Sequence, residues 1–344
     1  MAFDYHRSAL KIARAGARRL AKLVQADGRF IYRYIPERNL VSNEYNVLRH
    51  CGAVWSMLEV TRMTGAEPAV HEAAVRAAGY MLEHFVKPIG DDGLCVVDGL
   101  KIKLGGNGLA LLALYEFHRA APDPKLVETA RALGRYILSQ RTDDGDFVHC
   151  RVYPSGELHP LRSDYYTGEA LFGLLRLHQM TGEALWRDAA LQLIAALGPR
   201  DYGVAEQSHW MVYTLDLADQ LSPDPATRRY ASRIAAHIMA HRGYMARARS
   251  TPIACRSEAL LAYMRILRRM PGEGLRPSLA ECEQLLRLCL SAQVSFSRRD
   301  GSFVCGRNKP DVRIDYIQHN ISAFAAFGLT GPARAETAMA EAAL

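Results

Sequence analysis

The stretch from Gln140 to Leu177, QRTDDGDFVHCRVYPSGELHPLRSDYYTGEALFGLLRL, decides the fold. Asp144-Gly145 is turn chemistry, because glycine supplies the positive φ that tight turns need. A short β-like segment follows through Phe147 and Val148. A loop carrying Pro154, Gly156 and Pro160 then leads to a helix that opens on Asp164, Tyr165 and Tyr166 and is apolar almost all round. Such a helix has to be enclosed by other elements.

The same unit recurs along the chain. Amphipathic helices are expected over 5–25, 68–85, 125–140, 183–197, 225–241 and 277–293. Each is followed by a turn at Gly28, Gly93, Gly145, Gly203, Gly243 or Gly301, then a loop and a more apolar helix. The apolar helices open at Ser42-Asn43 (one of them the N-cap), Leu104–Gly108, Asp164–Tyr166, Glu206–Trp210, Cys255–Glu258 and Arg313–Asn320. A spacing of roughly 40–65 residues suits a helical repeat. The expected architecture is all-α, an (α/α)6 barrel of six helical hairpins with short β-like turns at one rim. Residues 1–344 form a single domain in this reading, with 330–344 a short C-terminal tail. An open solenoid of the same hairpins is the alternative.

Composition narrows the class. With 49% hydrophobic and 23% charged residues the chain is globular in type, and no apolar run approaches membrane-spanning length. The basic start, HRSALKIARAGARRLAK, has helical spacing and reads as the first helix rather than a signal peptide. Seven cysteines without a CxxC pair point to reduced thiols and a cytoplasmic setting. The net charge of +7 is dispersed, so an anionic small partner fits and a nucleic-acid patch does not.

A ring of this kind brings every inner-helix start to the same rim. Those starts supply Glu44, Tyr45, Arg49 and His50; Asn107; Asp164, Tyr165 and Glu169; His209 and Trp210; Arg256 and Glu258; and Asp315, Gln318 and His319. Acids at helix starts such as Asp164 and Asp315 have two readings, as caps alone or as acid/base groups. Capping does not account for Arg49-His50 or Gln318-His319, which lie inside otherwise apolar helices, where a polar group needs a partner or a ligand. Arg49 has a structural reading too, as the partner of Glu44 or Asp315.

Three chemistries suit these residue types. Carboxylates such as Asp164, Glu258 and Asp315 suit general acid and base roles across a glycosidic bond. His50, His209 and His319 suit proton transfer near neutral pH, as epimerisation or elimination requires. Arg49 and Arg256 suit a uronate carboxylate or a phosphate, while Tyr45, Tyr165 and Trp210 offer faces for a sugar ring, with Glu44, Asn107, Glu169 and Gln318 as further binding positions. His50-Cys51, Cys95, His149-Cys150, Cys255 and Cys305 lie in or near rim segments, and three converging donors make an open zinc site. None of their spacings is a zinc signature, so no cofactor is expected and zinc is the minority alternative. No P-loop, dinucleotide fingerprint or serine nucleophile elbow is present.

The turns QADGRF (Gln25–Phe30), QRTDDGDF (Gln140–Phe147) and RRDGSF (Arg298–Phe303) resemble the Asp-Gly-x-aromatic turns of helical toroids. Two groups carry them: the six-hairpin glycosidase-like superfamily and the terpenoid cyclase and prenyltransferase-like toroids. The acid motif DxDD, the prenyltransferase zinc set and the Cys-His-Gly motif of lanthionine cyclases are missing, which favours the first group. The resemblance implies an (α/α)6 barrel and a carbohydrate-active enzyme acting on an acidic sugar or oligosaccharide, with hydrolysis placed ahead of epimerisation or lyase chemistry. A zinc-dependent toroid enzyme or a non-catalytic helical scaffold are the other readings.

Overall fold

A computed structural model describes residues 5–330 apart from 66, 92 and 272. The segment 330–344, expected as a tail, lies outside the described residues except for Thr330. In chain order the helices are α1 (Tyr5–Leu23), α2 (Val47–Thr64), α3 (Pro68–His84), α4 (Leu104–Ala120), α5 (Pro124–Ser139), α6 (Tyr166–Thr181), α7 (Ala184–Leu197), α8 (His209–Leu221), α9 (Pro225–Ala240), α10 (Gly243–Ala246), α11 (Ser250–Arg269), α12 (Leu279–Val294) and α13 (Ile314–Gly328).

Helices α2, α4, α6, α8, α11 and α13 pack neighbour to neighbour, and α13 returns to α2, so the ring is closed. The solenoid alternative is thereby excluded. Helices α1, α3, α5, α7, α9 and α12 alternate with them as the outer layer. The division follows from sequence: α1 carries a buried alanine and leucine stripe of Ala9, Ala13, Ala17 and Leu20 on a basic helix, whereas α4 is buried continuously from Leu104 to Glu116. Among the described residues no helix is long and apolar enough to cross a membrane.

Close approach between inner helices is built on glycine. A Cβ on Gly108 of α4 would lie 2.5 Å from the carbonyl carbon of Glu169 and 2.7 Å from the Ala170 nitrogen, both in α6. A Cβ on Gly173 of α6 would in turn meet the backbone of Gly108 at 2.8 Å. The glycine-rich start of α4 is therefore a packing surface for α6.

The outer-to-inner connections carry more strand than the turn reading foresaw. One sheet has the order β2-β1-β8-β7, where β1 is Arg33–Ile35, β2 Leu40–Val41, β7 Val304–Gly306 and β8 Lys309–Arg313. The other has the order β3-β4-β5-β6, with β3 Val86–Ile89, β4 Gly93–Asp98, β5 Lys101–Lys103 and β6 Cys150–Val152. The expected segment at Phe147 and Val148 is displaced: Phe147 makes an isolated bridge with Arg141, and the strand proper begins at Cys150. All pairings in both sheets are antiparallel.

Gly28, Gly145, Gly203 and Gly301 adopt positive φ as turn glycines. Gly93 instead starts β4, and Gly243 starts the four-residue helix α10. Helix α2 begins later than expected, with Asn46 as N-cap accepting from the Arg49 amide at 3.1 Å, so Ser42 and Asn43 belong to the preceding loop. Helix α11 begins earlier, at Ser250; Pro252 in its first turn is compatible with a helix because no intrahelical N–H is needed there.

The turn of the opening stretch is fixed to α6 through Asp146. Its carboxylate accepts from Thr167 at 2.8 Å and Arg162 at 2.6 Å, and His149 stands 3.8 Å away. Burial opposes the charge, but the nearby His149 and the bonds from Thr167 and Arg162 prevail and hold its pKa down to about 2. The folded value lies below the ordinary unfolded one of about 3.9. The stabilisation is therefore complete above about pH 4 and is lost as pH falls toward about 2. Asp146→Asn is expected to lower Tm at pH 7 and to flatten its decline between about pH 4 and 2, measurable by thermal melts across that range.

Candidate active site

At the rim where the inner helices start, a cavity of about 300 Å³ opens between α2, α6, α8, α11 and α13. Its wall includes Arg49, Tyr165, Glu169, His209, Trp210, Cys255, Arg256, Asp315, Gln318 and His319. Nine of these ten were expected at the site from the sequence; Cys255 was read there only as a possible zinc donor.

Five expected residues lie elsewhere. His50 is fully buried on the outer side of α2, where Tyr45 donates to its Nδ1 at 2.7 Å and its Nε2 donates to the Ala77 carbonyl at 2.8 Å. Tyr45 also accepts from the Phe30 amide at 3.1 Å and packs among Tyr32, His50 and Phe85, away from the cavity. Asn107 is fully buried and stitches β4 to α4, accepting from the Val96 amide at 2.9 Å and donating to the Lys103 carbonyl at 3.0 Å. Glu44 is exposed and pairs with Arg33 at 3.2 Å. Asp164 is exposed and lines a neighbouring cavity with Arg162, Arg200 and His237. For His50 the reason is angular: successive helical residues are about 100° apart, so Arg49 turns to the cavity while His50 turns toward the outer layer; Glu44, Tyr45 and Asp164 precede their helices, which begin at Val47 and Tyr166.

The floor of the cavity is built from α8, α11 and α13. Cys255 and Glu258 stand at i and i+3 on α11, a spacing that places both on one face. Glu258, 1% exposed, accepts from His319 Nδ1 at 2.8 Å and from Tyr213 at 3.1 Å. Burial works against charge on His319, but Cys255 and Glu258 beside it raise its pKa well above the usual imidazole value. His209 is 2% exposed, and neither ring nitrogen has a hydrogen-bond partner among the described residues. Burial first, then the charges of His319 and Arg256, keep it neutral. The two imidazoles meet edge to face with centroids 5.2 Å apart. Trp210 packs on His209 at 4.9 Å, and Trp55, Phe172 and Tyr213 extend the aromatic layer beneath.

Donor atoms of His209, Cys255, Glu258 and His319 all lie within 4.8 Å of one another. This is the one place among the described residues where such a set could hold a cation. The sequence signal was the C-x-x-E spacing on an apolar helix, which is legible only once α11 is known to begin at Ser250.

The walls carry the remaining charge. Asp315 accepts both bonds of the Arg313 guanidinium at 2.5 and 2.9 Å and stands 3.3 Å from Arg49, which also donates to the Tyr32 hydroxyl. Arg313, absent from the sequence candidates, thus engages both oxygens of the carboxylate read as an acid/base group. Arg256 donates to the Gln207 side chain at 2.9 Å and the Glu206 carbonyl at 3.2 Å, with no carboxylate within ion-pair distance among the described residues. Glu169 has one oxygen without a partner, and burial, partly opposed by His319, pushes its pKa up to about 8. It therefore offers a neutral carboxyl at pH 7.

No family model matches the chain, and no curated protein matches it in sequence. Solved structures do match in shape. A D-mannose isomerase superposes with a TM-score of 0.73 at 12% identity, over 96% of this chain and 99% of its own. A cellobiose 2-epimerase from Bacillus thermoamylovorans gives 0.74 at 11% identity, over 94% and 100%. An unsaturated glucuronyl hydrolase specific for heparin gives 0.66 at 12% identity, over 95% and 97%. The chain therefore shares the (α/α)6 barrel fold with these solved structures, at identities where shape is what is shared.

Proposed function

We propose that the protein is a carbohydrate-active enzyme that transfers a proton at the carbon beside a sugar's carbonyl, interconverting an aldose and a ketose. The observation that carries this reading is the cavity floor: an imidazole oriented by a buried carboxylate, His319–Glu258, beside a second imidazole with both nitrogens unpartnered, His209. In the reaction His209 takes the proton from C2 of the open-chain sugar, and His319 donates one to the carbonyl oxygen. The resulting enediol collapses as His209 returns its proton to C1 and the C2 hydroxyl gives its proton to the now neutral His319, which restores both groups.

Hydrolysis fits the residues less well. It calls for an acid and a base carboxyl facing each other across the bond. Here Asp315 is committed to Arg313 and Arg49, Glu258 to Tyr213 and His319, and Glu169 is left without a free carboxylate opposite. Epimerisation at C2 calls for groups on both faces of one carbon, each about 3–3.5 Å away. Donor atoms clustered within 4.8 Å suit a shuttle along one face instead. Arg256, free of a carboxylate partner among the described residues, is the group suited to an anionic sugar. The shape likeness to enzymes named for acting on sugars supports the substrate class.

The test is incubation with aldoses and ketoses, their phosphates and uronates in D2O, followed by NMR. Interconversion of an aldose–ketose pair with deuterium entering at C1 or C2 is expected. Release of reducing ends from an oligosaccharide without such exchange would sink the proposal in favour of hydrolysis.

A further inference from the structure

We propose that His209, Cys255, Glu258 and His319 form a site for a thiophilic divalent cation of the zinc class, and that its occupation stops the proton transfer proposed above. The second part rests on that reading; the first does not.

The donor set is the argument. Two imidazoles, a thiol and a carboxylate are the ligand types zinc takes, and soft thiolate selects against calcium and magnesium. They come from three adjacent helices of the ring, α8, α11 and α13, so the scaffold holds them without a mobile loop. The two nitrogens of His209 are buried and unpartnered among the described residues, and burying polar atoms in that state costs free energy unless a ligand satisfies them. Cys255 is 6% exposed, yet it lines the cavity, so an ion arriving from the rim can reach it. Zinc bonds of about 2.0–2.3 Å hold tetrahedral ligands within about 4 Å of one another. Atoms now within 4.8 Å of one another need to close by about 1 Å to meet them.

Binding is a ligand exchange. Cys255 releases its thiol proton to solvent and binds as thiolate. His319 releases the proton it shares with Glu258, and the hydrogen bond between them gives way to two bonds to the cation. Four protein ligands complete a tetrahedron, which leaves no open position of the kind catalytic zinc keeps. Both imidazoles are then withdrawn from proton transfer.

The experiment is titration of the metal-free full chain with Co2+ alone, followed by absorbance. A 1:1 complex with a thiolate-to-cobalt charge-transfer band and tetrahedral visible bands is expected. The band should vanish in Cys255→Ser and weaken strongly in His209→Asn, while Cys305→Ser keeps it. Absence of the band, or its survival in Cys255→Ser, overturns the site. In the D2O exchange assay the metal-free protein should be active and should lose at least about tenfold with one equivalent of Co2+. Faster exchange in the cobalt form overturns the claim that occupation stops the reaction. A clear band with no exchange on any sugar upholds the site and counts against the sugar reading alone.

Discussion

Replacing His319 with alanine is expected to lower turnover by about 10²–10⁴-fold, the range in which a positioned acid or base contributes, while the protein still folds. The imidazole lines the cavity at the start of α13 rather than filling the core, and its Nδ1 is held by Glu258 at 2.8 Å. Its loss removes the donor to the carbonyl oxygen. Glu258→Gln isolates the positioning role: the amide keeps the shape and still hydrogen-bonds, but it no longer holds His319 as a cation. It should lower kcat by a smaller factor than His319→Ala, with KM retained. Steady-state kinetics and the D2O exchange rate of both variants check this, alongside circular dichroism for fold. A His319→Ala protein that folds and turns over at the wild-type rate would remove the residue from the mechanism.

Gly108→Ala is expected to destabilise the fold by about 3 kcal/mol, the upper part of the usual overpacking range. The added methyl group has backbone in front of it, with the Glu169 carbonyl carbon at 2.5 Å and the Ala170 nitrogen at 2.7 Å. Backbone cannot rotate away as a side chain does, so α4 and α6 would have to separate along their contact. Glu169 belongs to the cavity wall, and a shift of α6 would displace it. The same substitution should therefore raise KM even where folded protein survives. Chemical denaturation of Gly108→Ala against wild type measures the first effect. Gly79→Ala is the control, since a Cβ there meets nothing within 4 Å.

What the sequence by itself determined was the alternation of outer and inner helices. Wholly apolar helices must be enclosed, and the Asp-Gly turns at Gly28, Gly145 and Gly301 mark where the chain reverses, whereas closure into a ring rather than an open solenoid was decided by the packing of α13 against α2. Many of the polar residues that gather at the rim were also legible, because inner-helix starts are few and rich in charge, although Glu44, Tyr45, His50, Asn107 and Asp164 lie elsewhere. His209, Glu258 and His319 were among those legible.

Facing was decided by the tertiary structure. His50 and His319 look alike in sequence, each polar beside another polar residue near the start of an apolar helix. One is turned to the outer layer and satisfied by Tyr45 and Ala77; the other is turned to the axis and satisfied by Glu258. A shift of a residue or two in a helix start rotates every side chain by 100° or more, and those starts at Val47 and Ser250 rest on Asn46 and on a proline-bearing first turn. The convergence of Cys255 with two histidines from other helices likewise depends on three helices closing against one another, a contact between residues 46 to 110 positions apart that no local pattern encodes.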